Sequence, residues 1–372
     1  MRSLMRKTMG GMAVTSATLQ RPRRAPWPPQ FTLSKELIDR LREIERLDQQ
    51  VQSLNMTADA ERRLRRESLA RNAYGTASIE GNALSLDEVR SLLAKAPTPS
   101  TQLEPDEREI LRHAKLIDGL AEVRPPISVE NLCHIHAEYF RGILPRAGAV
   151  KKTPNFVGNA RNGTVHFIPT APPQTATELR RALAWFHSAA EHPLVRVALF
   201  FHEFQSIHPF PDGNGRLGRL LATIQLWHAG YRGVRLALVD FAINESRDEY
   251  YAALDAARRP GWDRTPWLEF FAGIVHEAYG LVLRRALLQA QLPKGLNERQ
   301  VRIVEWAARI SRADPRRAWK LADVHEAVPT TPRRTLTADL SLLVAKGVLQ
   351  REGERKAARY RLTESMRRSR AA

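Results

Sequence analysis

A stretch of twelve residues near the middle of the chain combines a histidine, an aspartate, two glycines and two arginines. It reads HPFPDGNGRLGR and runs from His208 to Arg219. Gly213 and Gly215 allow backbone N–H groups to approach a ligand closely, and the unpaired N–H groups at the start of a following helix favour an anion. Because Arg216 and Arg219 are three residues apart, both can face one end of that helix. The stretch therefore predicts a cradle for phosphate groups.

Two other side chains of this stretch add reactive chemistry. Asp212 offers the hard oxygen ligand that Mg²⁺ prefers, with phosphates supplying other ligands. His208 has an unperturbed pKa of about 6.5, which suits a general base. The pattern is not a Walker A loop, and His202 and His208 are too far apart for a zincin site. The alternative is an ordinary junction of a loop and a helix, with a capping aspartate and surface arginines.

At every fixed position the stretch matches HxFx(D/E)GNGRxxR, the motif of the Fic family. The chain resembles a Fic-domain protein adenylyltransferase over roughly residues 30–290. The resemblance implies transfer of AMP from ATP to a Ser, Thr or Tyr hydroxyl, either of a target protein or of the enzyme itself. His208 would deprotonate the hydroxyl, Phe210 would pack beneath the loop, and Asp212 would bind Mg²⁺ bridging the α- and β-phosphates.

The resemblance also implies which residues contact the phosphates. Gly213, Asn214 and Gly215 would form an anion hole, Arg216 would contact the β-phosphate and Arg219 would contact the γ-phosphate.

A second motif lies upstream, where Thr76-Ala-Ser-Ile-Glu80-Gly81 matches (S/T)xxxE(G/N). In the family this pattern marks an inhibitory helix, and Thr76 and Glu80 would share one helical face. Glu80 would pair with Arg219 and remove it from the γ-phosphate, so that the protein is autoinhibited in cis. In some Fic proteins the corresponding glutamate also helps to remove AMP, and the sequence leaves both directions open. The alternative is a helix that simply ends in Glu-Gly.

The β-prone segments around Asn155 to Ile168 predict a hairpin, with its turn at Asn162-Gly163. By resemblance it would be the flap that clamps a target segment by strand addition, and the alternative is an ordinary surface hairpin. The flap residues that we expect to meet the target are Phe156, Val165, His166 and Phe167.

Farther along the chain, Asn244, Tyr250 and Tyr251 resemble positions near the nucleotide base, although a tyrosine on an amphipathic helix is often a core residue. Four histidines outside the loop form no constellation, and we treat them as helix or surface residues: His134, His136, His187 and His192.

The elements that position these residues are mostly helical. Capping boxes at Ser85-x-x-Glu88, Thr175-x-x-Glu178 and Ser246-x-x-Glu249 predict helix starts, as does Ser128. We expect a mostly α protein, a Fic-fold helical bundle with a β-hairpin flap, followed by a C-terminal winged helix domain. The predicted domains are a disordered basic tail (1–30), an N-terminal helical region with the inhibitory helix (31–123), a catalytic core (124–291) and a winged helix-turn-helix domain (297–365).

The C-terminal pattern is helix, short helix, helix and two strands. The second helix is predicted from Leu321 to Val328 and the third from Thr335 to Lys346, with Arg333 and Arg334 at the end that would approach DNA bases. The alternatives are a winged helix used for dimerisation or for target docking. The rival function for the whole chain is a DNA-binding regulator in which the Fic core serves as a nucleotide-dependent switch.

The net charge of +18 is concentrated at the two ends of the chain. Residues 1–30 carry +6 and residues 297–372 carry +9, which leaves +3 for the part between them. The surplus of positive charge at the two ends therefore favours docking to polyanions, and it contributes less to catalysis. The single Cys133 excludes an internal disulfide, and no apolar run reaches the roughly 18 residues of a membrane span. We expect a cytoplasmic protein whose partners are a target protein, DNA at the C-terminal domain and a second copy of the chain.

Overall fold

The computed structural model describes residues 28–95, 102–123, 125–159, 164–259, 261–312, 314, 316–329, 331–353 and 357–368. Most of the predicted basic tail and the turn at Asn162-Gly163 therefore lie outside the described residues. The described chain forms two compact units, one holding 28–52 and 66–280 and the other 53–65 and 281–368. Both are mainly helical, and each has one small antiparallel sheet, so the predicted mostly α fold with a hairpin is confirmed. No helix of the described part is long and apolar enough to cross a membrane.

The first unit contains the loop and its helices. Its α-helices are α1 (Lys35–Gln52), most of α2 (Ala58–Ile79), α3 (Leu86–Ala94), α4 (Pro105–Asp118), α5 (Val129–Phe140), α6 (Pro172–Ser188), α7 (Pro193–Ile207), α8 (Asn214–His228), α9 (Val239–Glu245), α10 (Arg247–Ala256) and most of α11 (Thr265–Gln291). Short 3-10 turns cover Leu120–Glu122 and Arg232–Arg235. The predicted hairpin consists of β1 (Val157–Asn159) and β2 (Thr164–Phe167), which pair antiparallel with Val157 opposite Phe167.

Helix α7 is the centre of the first unit. Every residue from Leu194 to Ile207 except Arg196 is buried, including the polar residues of its last two turns, so this helix is enclosed by its neighbours. It packs against α6 and α8, and α8 is itself buried from Arg216 to Leu226. The loop of residues 208–213 joins these two buried helices, so both of its ends are fixed by the core.

The predicted helix starts hold at three of four positions, and at two of these the side-chain cap is complete. Ser85 and Ser128 cap α3 and α5 with complete capping boxes. The start predicted at Thr175 is wrong, because α6 already begins at Pro172, whose fixed φ suits the first turn. The Thr175 hydroxyl instead donates to the Ala171 carbonyl from inside the helix. Ser246 precedes α10, but its side chain makes no capping hydrogen bond.

The second unit has its own hydrophobic core. Its elements after α11 are α12 (Glu298–Ile310), a 3-10 turn (Leu321–Glu326), α13 (Arg333–Ala345), β3 (Leu349–Glu352), β4 (Arg359–Leu362) and α14 (Glu364–Arg368). The predicted order of elements is confirmed, with two differences in detail. The second helix is a 3-10 turn, and the third begins two residues earlier than predicted, at Arg333.

Candidate active site

The loop between α7 and α8 is bounded by two residues in the left-handed region. His208 ends α7 with φ 51°, and its N–H still donates to the Phe204 carbonyl at 2.8 Å. Gly213 precedes α8 with φ 82°, and a Cβ at this position would lie 2.6 Å from the Phe140 ring. A left-handed non-glycine residue costs about 1–2 kcal/mol, so the packing around His208 must offset that cost.

The His208 imidazole is buried and neutral. Burial, together with the positive charges of Lys151 and Arg258, lowers the pKa of His208 to about 3. Its Nδ1 lies 3.4 Å from the Gln205 carbonyl oxygen, a contact that favours the Nδ1–H tautomer. In that tautomer Nε2 carries a lone pair, so the ring can accept a proton at neutral pH.

The side chain of Asn214 closes the loop internally. Its Oδ1 accepts from the Phe210 N–H at 2.9 Å, and its Nδ2 donates to the Phe210 carbonyl at 2.8 Å. Gln205 donates to the Asn214 carbonyl from α7. Asn214 thus shapes the loop with its side chain, and any contact with an anion would come from its backbone. Phe210 is fully buried beneath the loop, as the resemblance implies.

His136 supports the loop from α5, although we expected it to be only a helix or surface residue. Its ring stacks on Phe210 at 4.0 Å between centroids, and its Nε2 lies 2.9 Å from the Asp212 carbonyl oxygen. The Gly148 N–H donates to Nδ1 at 2.8 Å, so Nε2 must carry the proton that bonds Asp212. Burial lowers the pKa of His136 to about 4, which keeps this tautomer neutral.

Lys151 and Asn155 form a second support that sequence reasoning missed. Lys151 Nζ donates to the Ile207 carbonyl at 2.9 Å and to Asn155 Oδ1 at 2.8 Å. Asn155 Nδ2 in turn donates to the Phe210 carbonyl at 3.0 Å. Burial lowers the pKa of Lys151 to about 7. These bonds join the segment before β1 to the backbone on both sides of His208.

The two arginines of the motif are buried and paired with acids from the N-terminal helices. Arg219 donates through Nε to Thr76 Oγ1 at 2.8 Å and through NH2 to Glu80 Oε1 at 2.9 Å. Arg216 forms ion pairs with Glu109 Oε1 at 3.0 Å and with Asp212 Oδ1 at 3.2 Å. The structure therefore places Thr76, Glu80 and Arg219 together, as expected.

The charge of Glu80 is fixed by these arginines. Burial opposes its ionisation, but the positive charges of Arg219 and Arg216 outweigh burial and hold the pKa of Glu80 below its usual value. Glu80 is therefore a carboxylate at neutral pH and forms a full ion pair with Arg219.

Asp212 has one carboxylate oxygen available for a cation. Its Oδ1 accepts from the Gly213 N–H and from Arg216, whereas no hydrogen bond within the described residues engages Oδ2. The side chain is 33% exposed. The described residues contain no group of three or more His, Cys, Asp or Glu side chains that could hold a metal. A hard cation fits here if phosphate oxygens and water complete its coordination.

The residues predicted for the target and for the nucleotide base lie in different surroundings. Phe156, Val165 and Phe167 are half-buried on the hairpin, and the Arg258 guanidinium lies 4.1 Å from the Phe167 ring centroid. His166 lies on β2, but its side chain is outside the described part of the structure.

Asn244 is half-buried on α9 and Tyr251 is 38% exposed on α10. Tyr250 is only 2% exposed and lies among Phe201 and Trp267, which favours the core alternative for this residue. Tyr250 and Arg219 also interact electrostatically, so the two buried side chains are neighbours.

Comparison with known proteins places this loop in a family. Residues 126–226 match the model of the Fic/DOC family. Protein adenylyltransferase Fic of Drosophila ananassae is 27% identical over 252 residues, covering 65% of this chain and 48% of that protein. Protein adenylyltransferase fic-1 of Caenorhabditis elegans is 28% identical over 220 residues, covering 57% of this chain and 40% of that protein. This chain thus spans less than half the length of these relatives.

Solved structures agree on the fold. A Fic family protein from Desulfovibrio desulfuricans G20 superposes with a TM-score of 0.62 at 22% identity, covering 91% of this chain and 99% of that one. Fic-1 from C. elegans superposes with a TM-score of 0.54 at 23% identity, covering 67% and 72%. The family match contains the whole motif from His208 to Arg219. Residues 126–226 of this chain are therefore a Fic domain of the Fic/DOC family.

Proposed function

We propose that this protein transfers AMP from ATP to a hydroxyl group of a target protein. The observation that carries the proposal is a buried, neutral His208 at the start of a loop that leads into helix α8, where Gly213, Gly215, Arg216 and Arg219 would form a phosphate cradle. The relatives named protein adenylyltransferase support the same reaction. They also favour ATP as the nucleotide donor.

The reaction needs one proton transfer and one substitution at phosphorus. His208 Nε2 takes the proton of a Ser, Thr or Tyr hydroxyl, and that oxygen forms a bond to the α-phosphorus of ATP. The bond from the α-phosphorus to the bridging oxygen breaks, and pyrophosphate leaves with the electron pair. Positioning and charge stabilisation supply most of the rate enhancement in such transfers.

The phosphates are held by groups that already face the loop. Backbone N–H groups of Asn214 and Gly215 at the start of α8 would meet a phosphate, since the helix dipole favours an anion there. The Gly213 N–H would join them on leaving Asp212 Oδ1, to which it now donates. Arg216 serves the β-phosphate and Arg219 the γ-phosphate. Asp212 Oδ2 would hold Mg²⁺, which neutralises phosphate charge when bound.

Glu80 would inhibit this reaction. Its carboxylate occupies Arg219, and a Cβ built at Gly215 would collide with Glu80 Oε1, so the carboxylate lies against the anion hole itself. ATP must therefore displace Glu80 or bind with its γ-phosphate out of place. The same carboxylate lies where it can orient a water for removal of AMP, and the geometry is compatible with both directions.

The test compares the wild-type protein with Glu80→Gly, each with and without His208→Ala, after incubation with α-labelled ATP and a cell lysate. We expect Glu80→Gly to label itself or lysate proteins at least about tenfold more than wild type, because a charge-assisted pair no longer competes with phosphate. His208→Ala should abolish the label. Equal labelling by wild type and Glu80→Gly would overturn the inhibition, and labelling that survives His208→Ala would overturn the mechanism.

DNA binding by α13 is a second candidate function. Arg333 and Arg334 are both exposed at the start of this helix, whose buried residues include Leu336, Leu340 and Leu343. The only acid of the helix, Asp339, is 3% exposed and is bound by Arg299 and Gln300. The exposed face of α13 is therefore free of negative charge, as a surface that approaches phosphate requires.

A further inference from the structure

Two acidic residues outside the matched Fic domain engage the two motif arginines, but in different ways. Glu80 pairs with Arg219 and Glu109 pairs with Arg216, at 2.9 and 3.0 Å respectively. The Glu80 side chain is 26% exposed and the Glu109 side chain is 8% exposed. Glu80 also lies against Gly215 of the anion hole, whereas Glu109 is not among the near neighbours of any loop glycine. A ligand in the cradle would therefore meet Glu80 and leave Glu109 in place.

The Arg216 side chain is held on three sides. NH1 pairs with Glu109 on α4, NH2 pairs with Asp212 in the loop, and the guanidinium lies 4.7 Å from the centroid of the Phe140 ring. Its Nε makes no hydrogen bond within the described residues. Fixing a long side chain in advance saves the rotamer entropy that binding would otherwise cost.

We propose that Glu109 is a positioning residue of the nucleotide site, which orients Arg216 toward the β-phosphate from helix α4. The inference rests on the proposed adenylyl transfer. It gives the two acids opposite effects: loss of Glu80 activates the protein, and loss of Glu109 weakens its binding of ATP. It also extends the functional site beyond residues 126–226, since α4 (Pro105–Asp118) lies upstream of the matched domain.

The experiment uses the full chain carrying Glu80→Gly, so that inhibition does not mask nucleotide binding. Glu109→Gln and Glu109→Ala are added, and the Kd values for Mg²⁺-ATP and for AMP are measured by calorimetry together with kcat and KM. We expect Glu109→Ala to weaken ATP binding about tenfold, with Glu109→Gln between it and the parent, because the amide oxygen still accepts from Arg216. Affinity for AMP should not change, since AMP has no β-phosphate. Glu122→Gln, an exposed acid just after α4, is the matched control.

A double-mutant cycle separates positioning from a general structural role. In an Arg216→Ala background, Glu109→Gln should have no further effect on the affinity for ATP. The inference would be overturned if Glu109→Gln weakened the binding of ATP and of AMP equally. It would also be overturned if Glu109→Gln weakened ATP binding equally with and without Arg216→Ala. Unchanged ATP affinity on adding Glu109→Gln to a Glu80→Gly protein that binds ATP and transfers AMP would overturn it as well. If Glu109→Ala does not fold, the near-isosteric Glu109→Gln carries the test. Failure of the Glu80→Gly parent itself to label targets would instead count against the proposed function.

Discussion

At the scale of single residues, the loop that carries His208 is held in place by side chains from distant parts of the chain. The reactive groups lie within twelve consecutive residues, so their spacing alone predicts a cradle and a base. The supports come from distant positions: His136 meets Asp212 across 76 residues, and Lys151 meets Ile207 across 56. No local pattern reports such contacts, because they depend on how the helices pack.

His136 offers a test of one such support. His136→Phe keeps the stacking on Phe210 but removes both hydrogen bonds of the imidazole, to Asp212 and from Gly148. In the Glu80→Gly background we expect kcat for AMP transfer to fall by about tenfold or more, because small displacements of a catalytic loop are costly. The measurement is steady-state labelling beside a thermal unfolding curve. A loss of stability would show that the hydrogen bonds of the imidazole have been removed. If kcat is nevertheless unchanged, His136 does not support the catalytic loop.

At the scale of elements, helix starts were predictable where a side chain makes the cap and unpredictable where backbone restriction decides. Ser85 and Ser128 cap their helices with their hydroxyls, which the sequence shows. At Thr175 the same pattern failed, because Pro172 begins the helix one turn earlier. Helix α2 could be predicted as a helix, but the surface against which it packs could not. Gly75 lies so close to the Asp240 backbone that a Cβ would approach its carbonyl oxygen to 2.6 Å.

Helix α13 carries the prediction that concerns DNA. Replacement of both Arg333 and Arg334 by alanine removes two exposed positive charges and leaves the buried face of the helix intact. If each contacts a phosphate, the slope of log affinity against log salt should decrease in magnitude by about 2. Gel shifts of the full-length protein on random duplex DNA at several salt concentrations measure that slope. A double variant whose slope and affinity match wild type would argue for a protein-docking role of this helix.

At the scale of the whole molecule, several ionisable groups are buried in the first unit, and burial gives its histidines and its acids opposite effects in acid. Burial lowers the pKa of His113 and of His208 to about 3 and that of His136 to about 4, and it lowers the pKa of His202 strongly. These four histidines favour unfolding as pH falls. Buried acids oppose them, since burial raises the pKa of Asp240 to about 6 and also raises the pKa values of Glu109, Glu203 and Asp212.

The effect of the buried histidines on stability follows from the number of protons that each state binds. Between pH 6.5 and 4 the unfolded chain binds protons at these histidines that the folded chain does not, so their contribution to the free energy of unfolding decreases as pH decreases. A histidine with a folded pKa near 3 contributes a loss of about 2 kcal/mol between pH 7 and pH 5.

His113→Gln removes one titrating group and retains a partner for the Tyr139 hydroxyl, which His113 Nδ1 meets at 2.8 Å. Urea unfolding at pH 7 and pH 5 should therefore show a loss about 2 kcal/mol smaller in the variant than in wild type. The half-buried His192 gives the control, because its replacement by Gln removes a histidine that lies outside the buried core. An equal loss in His113→Gln and wild type would mean that His113 is protonated in the folded state, and burial would then not govern its charge.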